Sequence, residues 1–167
     1  AQNSNIVQSC NGASLNEEQG RALQYLAKLC PGSSHEDLGK LFLLFEREQY
    51  SKGAIIWRQG SRSDCLKLLV VGTLVAVLED EESMKEEIIP GSMLGELGLV
   101  TMTDRLSTVK CTSENVVLYS MSRSKWDLLV KDDPRLARFI DLIVVRYLEH
   151  RVQHVSNRIF ETRCLPV

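Results

Sequence analysis

The sequence predicts an α+β fold: an antiparallel β barrel or jelly roll flanked by N-terminal helices and a long C-terminal helix. Three observations carry that prediction. Apolar residues recur at helical spacing before residue 48 and again after residue 123. Between these stretches lie six short β-type runs with turn residues at their ends. Strands so short and closely spaced suit an antiparallel barrel or jelly roll.

The first helix has a capping-box pattern at Ser14-Leu-Asn-Glu17, then Leu23, Leu26, Ala27 and Cys30 on one face, and a stop at Pro31-Gly32. Ser34 can cap a second, where Leu38, Leu41, Phe42 and Phe45 recur at i, i+3, i+4 and i+7. These helices are expected over 15–48, after a polar stretch, 1–13, that reads as linker or disordered chain.

The β region is expected over 50–121. Its runs are AIIW (54–57), LKLLVV (66–71), TLVAVL (73–78), EEII (86–89), LSTVKC (106–111) and NVVLYSM (115–121). The acidic stretch EDEESMKEE, 79–87, reads as a solvated hairpin tip. Helices return over 123–160. Ser122 or Ser124 can cap a short one containing Trp126, Leu129 and Val130. Asp133-Pro134 starts a long one with Leu136, Ile140, Ile143, Tyr147 and Val144, Leu148, Val155, Ile159 on a broad face. The domain so delimited spans 14–160 and leaves a tail, 161–167.

Composition narrows the function. With 44% hydrophobic and 25% charged residues, the 167-residue chain has the mix of a globular protein. A net charge of −2 offers no global attraction to nucleic acid or an anionic membrane, so any anion must be caught locally. The five cysteines are scattered and form no C-x-x-C, which argues against a zinc site or redox pair and suits the cytoplasm. No apolar run approaches the ~20 residues of a membrane span. The longest, FIDLIVV at 139–145, carries Asp141.

No catalytic residue and no metal ligand are expected. No histidine lies between Glu36 and Glu149, so the strands supply neither the imidazole cluster of a cupin-type metalloenzyme nor a histidine base for a Ser, Cys or Lys nucleophile. A carboxylate is then the base left open. His150 and His154 lie four apart on the last helix with no third ligand in sight, and read as a solvated face.

One segment stands out: GELGLVTMTDRLSTV, 95–109, where a Glu and an Arg sit in an apolar setting. Its residue types fit an anion pocket. Gly95 allows close backbone approach. Leu97-Gly98-Leu99-Val100 can form a short helical turn whose N–H groups face an anion. Arg105, nine positions after Glu96, can grip a phosphate with its planar fork, while Glu96 accepts a bond from a hydroxyl. The competing reading is a structural Glu96–Arg105 ion pair.

This segment resembles the phosphate-binding cassette of the cyclic nucleotide-binding domain family, in which a Gly-Glu pair is followed nine residues after the Glu by an Arg. KGAIIWRQG (52–60) is similar to the family's strand ending in a glycine turn, and SRSDCLKLLVVGTLVAVL (61–78) to its next hairpin, with Asp64 and Gly72 in place. The resemblance covers roughly residues 36–150. It implies an antiparallel β jelly-roll barrel and a ligand, cAMP or cGMP, with no cofactor. Gly95, Glu96, Leu97 and Gly98 would surround ribose and phosphate, Glu96 taking the 2′-hydroxyl and Arg105 the cyclic phosphate. The backbone of Leu106 and the hydroxyl of Ser107 would complete the cage. The chain departs from the family at Leu94 and Lys67, where aromatic residues are common, and at Leu106, which offers no hydroxyl to favour guanine and whose bulk is expected to narrow the phosphate site.

The leading expectation is thus a cytoplasmic regulatory module that binds a cyclic nucleotide and transmits occupancy through its C-terminal helix. By resemblance, and because the chain opens without an initiator Met, it is expected to be the C-terminal part of a larger protein such as a transporter or channel. The alternative is a domain of the same fold that binds no nucleotide and serves as a structural or interaction module of its host. Partners expected are the host's upstream domains and a homodimer mate through the 134–160 helix. A bacterial activator of the same fold is disfavoured, because the seven residues after Phe160 leave no room for a helix-turn-helix, so no nucleic acid partner is expected.

Overall fold

The computed structural model describes residues 16–79 and 81–163. The linker expected over 1–13, and Ser14 with it, lie outside the described residues. Two short helices come first, α1 (Glu17–Leu29) and α2 (His35–Phe42). Asn16 caps α1, accepting from the Gln19 backbone N–H at 2.8 Å while the Gln19 side chain accepts from the Asn16 N–H at 3.2 Å. The capping box therefore starts two residues beyond the expected Ser14. Ser34 caps α2 as expected, with Asp37 completing the box.

Eight strands follow: β1 (Glu46–Tyr50), β2 (Ile55–Trp57), β3 (Cys65–Val71), β4 (Leu74–Leu78), β5 (Glu81–Ile88), β6 (Met93–Leu94), β7 (Thr108–Cys111) and β8 (Val116–Ser122). A short helix, α3 (Glu96–Thr101), separates β6 from β7, and α4 (Arg123–Asp132) and α5 (Pro134–Arg163) close the chain. Ser122 is the N-cap of α4, and Asp133 accepts from the Leu136 N–H at the start of α5. Of the tail expected over 161–167, the first three residues continue α5 and the rest lie outside the described residues.

Two of these strands correct the expectations. Helix was expected to residue 48, but α2 stops at Phe42, two reverse turns follow, and β1 begins at Glu46. The sequence EREQY has no apolar alternation because β1 is a mostly exposed edge strand. Strand β5 also absorbs most of the acidic stretch expected at a hairpin tip.

All strand pairs are antiparallel and form two four-stranded sheets, ordered β1-β8-β3-β6 and β2-β7-β4-β5. No strand pair joins the two sheets among the described residues, so the expected barrel is not closed; the sheets face each other as two layers. Leu69, Leu74, Val109, Val116 and Leu118 fill the space between them. The first sheet is covered on its other face too. Leu66, Leu68, Val70, Val117, Tyr119 and Met121 pack against Leu23 and Leu26 of α1, Leu41 of α2 and Ile140 and Ile143 of α5. Burial on both faces is why LKLLVV and NVVLYSM read as continuous apolar runs rather than alternating ones.

The departure at Lys67 has a local explanation. Its side chain is buried, and Nζ donates to both carboxylate oxygens of Glu48 at 2.6 and 2.7 Å and to Ser120 Oγ at 3.0 Å. The Tyr50 hydroxyl donates to the same carboxylate at 2.9 Å. Each polar group has a partner, which offsets the desolvation cost that a lone ammonium would carry.

Gly72 makes the β3–β4 turn with φ +84°, and a Cβ there would collide with the Asn115 carbonyl and the Ser113 hydroxyl. The same hydroxyl accepts from the Thr73 N–H at 2.8 Å. Gly72→Ala is therefore expected to lower stability by at least about 1–2 kcal/mol. Chemical denaturation of both proteins checks this, and an unchanged midpoint would contradict the turn geometry.

Candidate functional site

Strand β6 delivers the chain to Gly95, whose φ of +73° and ψ of 14° place it in the left-handed region as the N-cap of α3. A Cβ there would strike Arg105 Nη1 and come within 2.9 Å of the Cys65 carbonyl oxygen, so this residue must lack a side chain. Gly98 is constrained in another way: a Cβ would meet the Ser63 side chain and lie 3.1 Å from the Thr103 carbonyl oxygen. The two glycines let α3 lie close against the turn before β3. The Leu97 and Gly98 N–H groups in the first turn have no partner within the helix.

Arg105 is fixed along its whole length. Its backbone N–H donates to Ser61 O at 2.8 Å and its carbonyl accepts from Gly60 N–H at 2.8 Å, so the glycine turn after β2 sets its position. The side chain is buried. Nη2 donates to the Cys65 carbonyl at 2.8 Å and touches Cys65 Sγ at 3.2 Å, and the guanidinium lies 3.8 Å from the centroid of the Trp57 ring. Asp64 sits 3.9 Å away. Nε and Nη1 are buried without a partner. Burial lowers the proton affinity of the guanidinium, and the nearby Cys65, Asp64 and Glu96 oppose this.

Glu96 is 3% exposed. Burial raises its pKa, against the pull of its own backbone N–H, Arg151 and Arg105. The ion pair with Arg105, the competing reading, is not formed: the cation against Glu96 is Arg151 of α5, at 3.8 Å, which also donates to Glu86 at 3.4 Å. Two charges in one cavity thus remain unpaired with each other.

These residues wall a cavity of about 230 Å³. Gly95, Glu96, Leu97 and Gly98 enter from the α3 side, and Arg105, Leu106 and Ser107 from the approach to β7, so all seven expected site residues come together. Leu106 lines the cavity with 67% of its surface exposed. Sequence reasoning missed Trp57, Ser63, Tyr147 and Arg151, each of which lines the cavity. The Ser63 hydroxyl is buried without a partner beside Gly98. Ala76, Ile88 and Val109 from the second sheet, with Leu148 and Val152 from α5, supply an apolar lining. One cavity therefore offers guanidinium, hydroxyl and carboxylate groups together with an apolar surface, which suits a small ligand with an anionic, a hydroxylated and a flat apolar part.

Among the described residues no group of three His, Cys, Asp or Glu side chains could hold a metal ion. The side chains of His150 and His154 lie outside the described residues. No described helix is long and apolar enough to cross a membrane.

The family model of the cyclic nucleotide-binding domain matches residues 47–133, just over half of the 167. The chain belongs to the cyclic nucleotide-binding domain family, whose members are regulatory rather than catalytic modules. Among solved structures, it is similar to a cyclic nucleotide-binding domain from Methylobacillus flagellatus at a TM-score of 0.77 and 16% identity, over 89% of this chain and 85% of that one. It is also similar to the catabolite activator protein of Thermus thermophilus, at a TM-score of 0.62 and 20% identity over 80% of this chain and 63% of that one. The regulatory domain of Toxoplasma gondii PKA, solved with cAMP, matches at a TM-score of 0.61 and 22% identity, over 72% of this chain and 47% of that one. At these identities the likenesses establish the fold. No curated protein matches the chain.

The raised pKa of Glu96 gives the site a pH signature. A carboxyl that holds its proton more tightly when folded contributes stability that is present at pH below its ordinary value of 4.5 and is lost as pH rises through the folded pKa. Without nucleotide, the stability of the protein relative to Glu96→Gln is therefore expected to fall as pH rises above that value, then level off. Urea midpoints of both proteins across a pH series test this, and a difference independent of pH would contradict the burial of Glu96.

Proposed function

We propose that the cavity binds a cyclic nucleotide, cAMP or cGMP, with Arg105 on the cyclic phosphate and Glu96 on the ribose 2′-hydroxyl. The observation that carries this reading is the buried Arg105 guanidinium, with Nε and Nη1 unpaired in the wall of a cavity and Glu96 across the same cavity not bonded to it. A cyclic phosphate answers both donors and neutralises the charge. The backbone of Leu106 and the Ser107 hydroxyl complete the cage, and the apolar lining takes the base. Because Tyr147, Leu148, Arg151 and Val152 of α5 belong to the same lining, a ligand that favours one position of α5 shifts the helix, and occupancy passes to whatever α5 touches. Exposed Leu142 and Val145 on that helix support contact with a further partner, a host domain or a second copy. On this reading the module works in the cytoplasm as part of a larger protein, such as a transporter or channel.

Arg105→Ala separates this from a module that binds no nucleotide. A charge-assisted contact is worth roughly 1.5–3 kcal/mol, so calorimetric affinity for cAMP or cGMP is expected to fall by about one to two orders of magnitude. The ligand-free protein loses the bonds to the Cys65 carbonyl and Sγ, the 3.9 Å pair with Asp64 and the stack on Trp57, but also the cost of two unpaired buried donors. Its stability is then expected to stay within about 1 kcal/mol. Should neither nucleotide bind the unmodified protein at millimolar concentration, while the variant unfolds much more readily, Arg105 has a structural role and the nucleotide reading fails.

A further inference from the structure

Helix α3 carries Glu96 at its start, yet its far end is poorly secured by the sequence. It has six residues and stops at Met102, a residue with a side chain held at φ +58° and ψ 22°, a left-handed conformation usually left to glycine. No described side chain within α3 closes its last turn except Thr101, whose hydroxyl donates to the Leu97 carbonyl at 2.8 Å. The carbonyl of Leu99 is met from outside, by Arg123 Nη1.

Arg123 is the first residue of α4, and its guanidinium is held from two further sides. Nε donates to Asp127 Oδ1 at 2.9 Å, one helical turn on, and the group lies 4.8 Å from the centroid of the Trp126 ring. Its backbone N–H donates to the Asp64 carbonyl at 2.7 Å. The next carbonyl along, that of Cys65, is the one that accepts from Arg105 Nη2. A single residue thus holds the end of α3 through its side chain and, through its main chain, the peptide next to the anchor of Arg105.

We propose that Arg123 is a positioning residue for the site, a strut that fixes α3 and the Asp64–Cys65 segment relative to one another and so sets the geometry between Glu96 and Arg105. It touches no part of the cavity itself; its effect runs through Leu99 and Asp64. The Leu99 side chain is fully buried in the core shared with the helices, so the strut ties the binding segment to that core at the same point. The claim about position stands on the contacts alone, whereas its consequence for affinity rests on the cyclic nucleotide reading.

Two arms test them apart. In the first, amide hydrogen exchange is followed in the nucleotide-free protein, in Arg123→Met, which keeps the length of the stem without a donor, and in Arg123→Lys, which keeps a charge and a single donor group. The amides of Leu99 and Met102 bond to the Gly95 and Gly98 carbonyls inside α3 and report its integrity. Their exchange is expected to rise about tenfold in Arg123→Met, as fits the loss of one charged hydrogen bond, with Arg123→Lys between the two. The backbone amide chemical shifts of Glu96, Leu97 and Gly98 in the nucleotide-free protein are expected to move in Arg123→Met, while that of Leu118 in the core stays in place. A residue that merely adds stability would leave the Glu96, Leu97 and Gly98 shifts in place, and that result, or unchanged exchange at Leu99 and Met102, overturns the proposal. In the second arm, affinity for cAMP and cGMP is expected to fall about tenfold in Arg123→Met. Unchanged affinity for a nucleotide that the unmodified protein binds also overturns it. If the unmodified protein binds neither, the failure belongs to the ligand reading, and the exchange arm alone decides the position of α3.

Discussion

Keeping a guanidinium out of water is the constraint around which the binding segment is built. A charged group with 5% of its surface exposed needs compensation from fixed dipoles and polarizable surfaces nearby. Arg105 obtains it from the Cys65 carbonyl on one side and the Trp57 ring on another. These contacts dictate much else. Gly95 has no side chain because the guanidinium occupies that volume, and the glycine turn after β2 exists to pair with the backbone of Arg105 on both sides. Compensation is nevertheless partial: Nε and Nη1 are left without a partner, in a residue that lines the cavity. Function, on this account, resides in the incompleteness of the compensation.

The sheet that carries Cys65 has its own demand. Strands β3 and β8 are buried on both faces, between the second sheet and the helical layer, and so belong to two cores at once. Alternate residues of β8 divide cleanly: Val116 and Leu118 face the other sheet, Val117, Tyr119 and Met121 the helices. This shared sheet gives the site a stiff floor. It also explains why the helices cannot be treated as accessories to the β structure. Without them a continuous apolar face of about six residues would meet water, an exposure that promotes association.

Legibility in the sequence followed the range of each interaction. Gly95, Glu96 and Arg105 could be read because their spacing is local and the residue types are costly anywhere else. The doubly buried strands were legible as apolar runs. Strand β1 was not, since Glu46, Arg47, Glu48 and Gln49 carry no β pattern and the strand is fixed by pairing with β8, far along the chain. Trp57, Tyr147 and Arg151 escaped for the same reason: the elements that carry them meet the binding segment only after folding. Tyr147 was even visible, but as one more apolar position on a helix. A jelly-roll barrel was expected, and short strands alone do not reveal whether the outer edges pair; among the described residues they do not.

Helix α5 is one continuous helix with two kinds of surroundings. Leu136, Ala137, Ile140, Ile143 and Val144 are set into the core, while Tyr147 and Leu148 lie at the cavity and Val152 is 64% exposed. The transition near residue 145 makes a natural fulcrum. The seventeen residues from Tyr147 to Arg163 extend about 25 Å at 1.5 Å per residue, so a tilt of about 10° there carries the far end by some 4 Å. On the proposed function, an adjustment of about 1.5 Å at Arg151 beside Glu96 would become by leverage a displacement of some 4 Å, about the width of a side chain, at a distance from the cavity itself. Mechanical gain of this kind comes without any change of secondary structure, and it sets the scale of movement that a neighbouring domain would have to read.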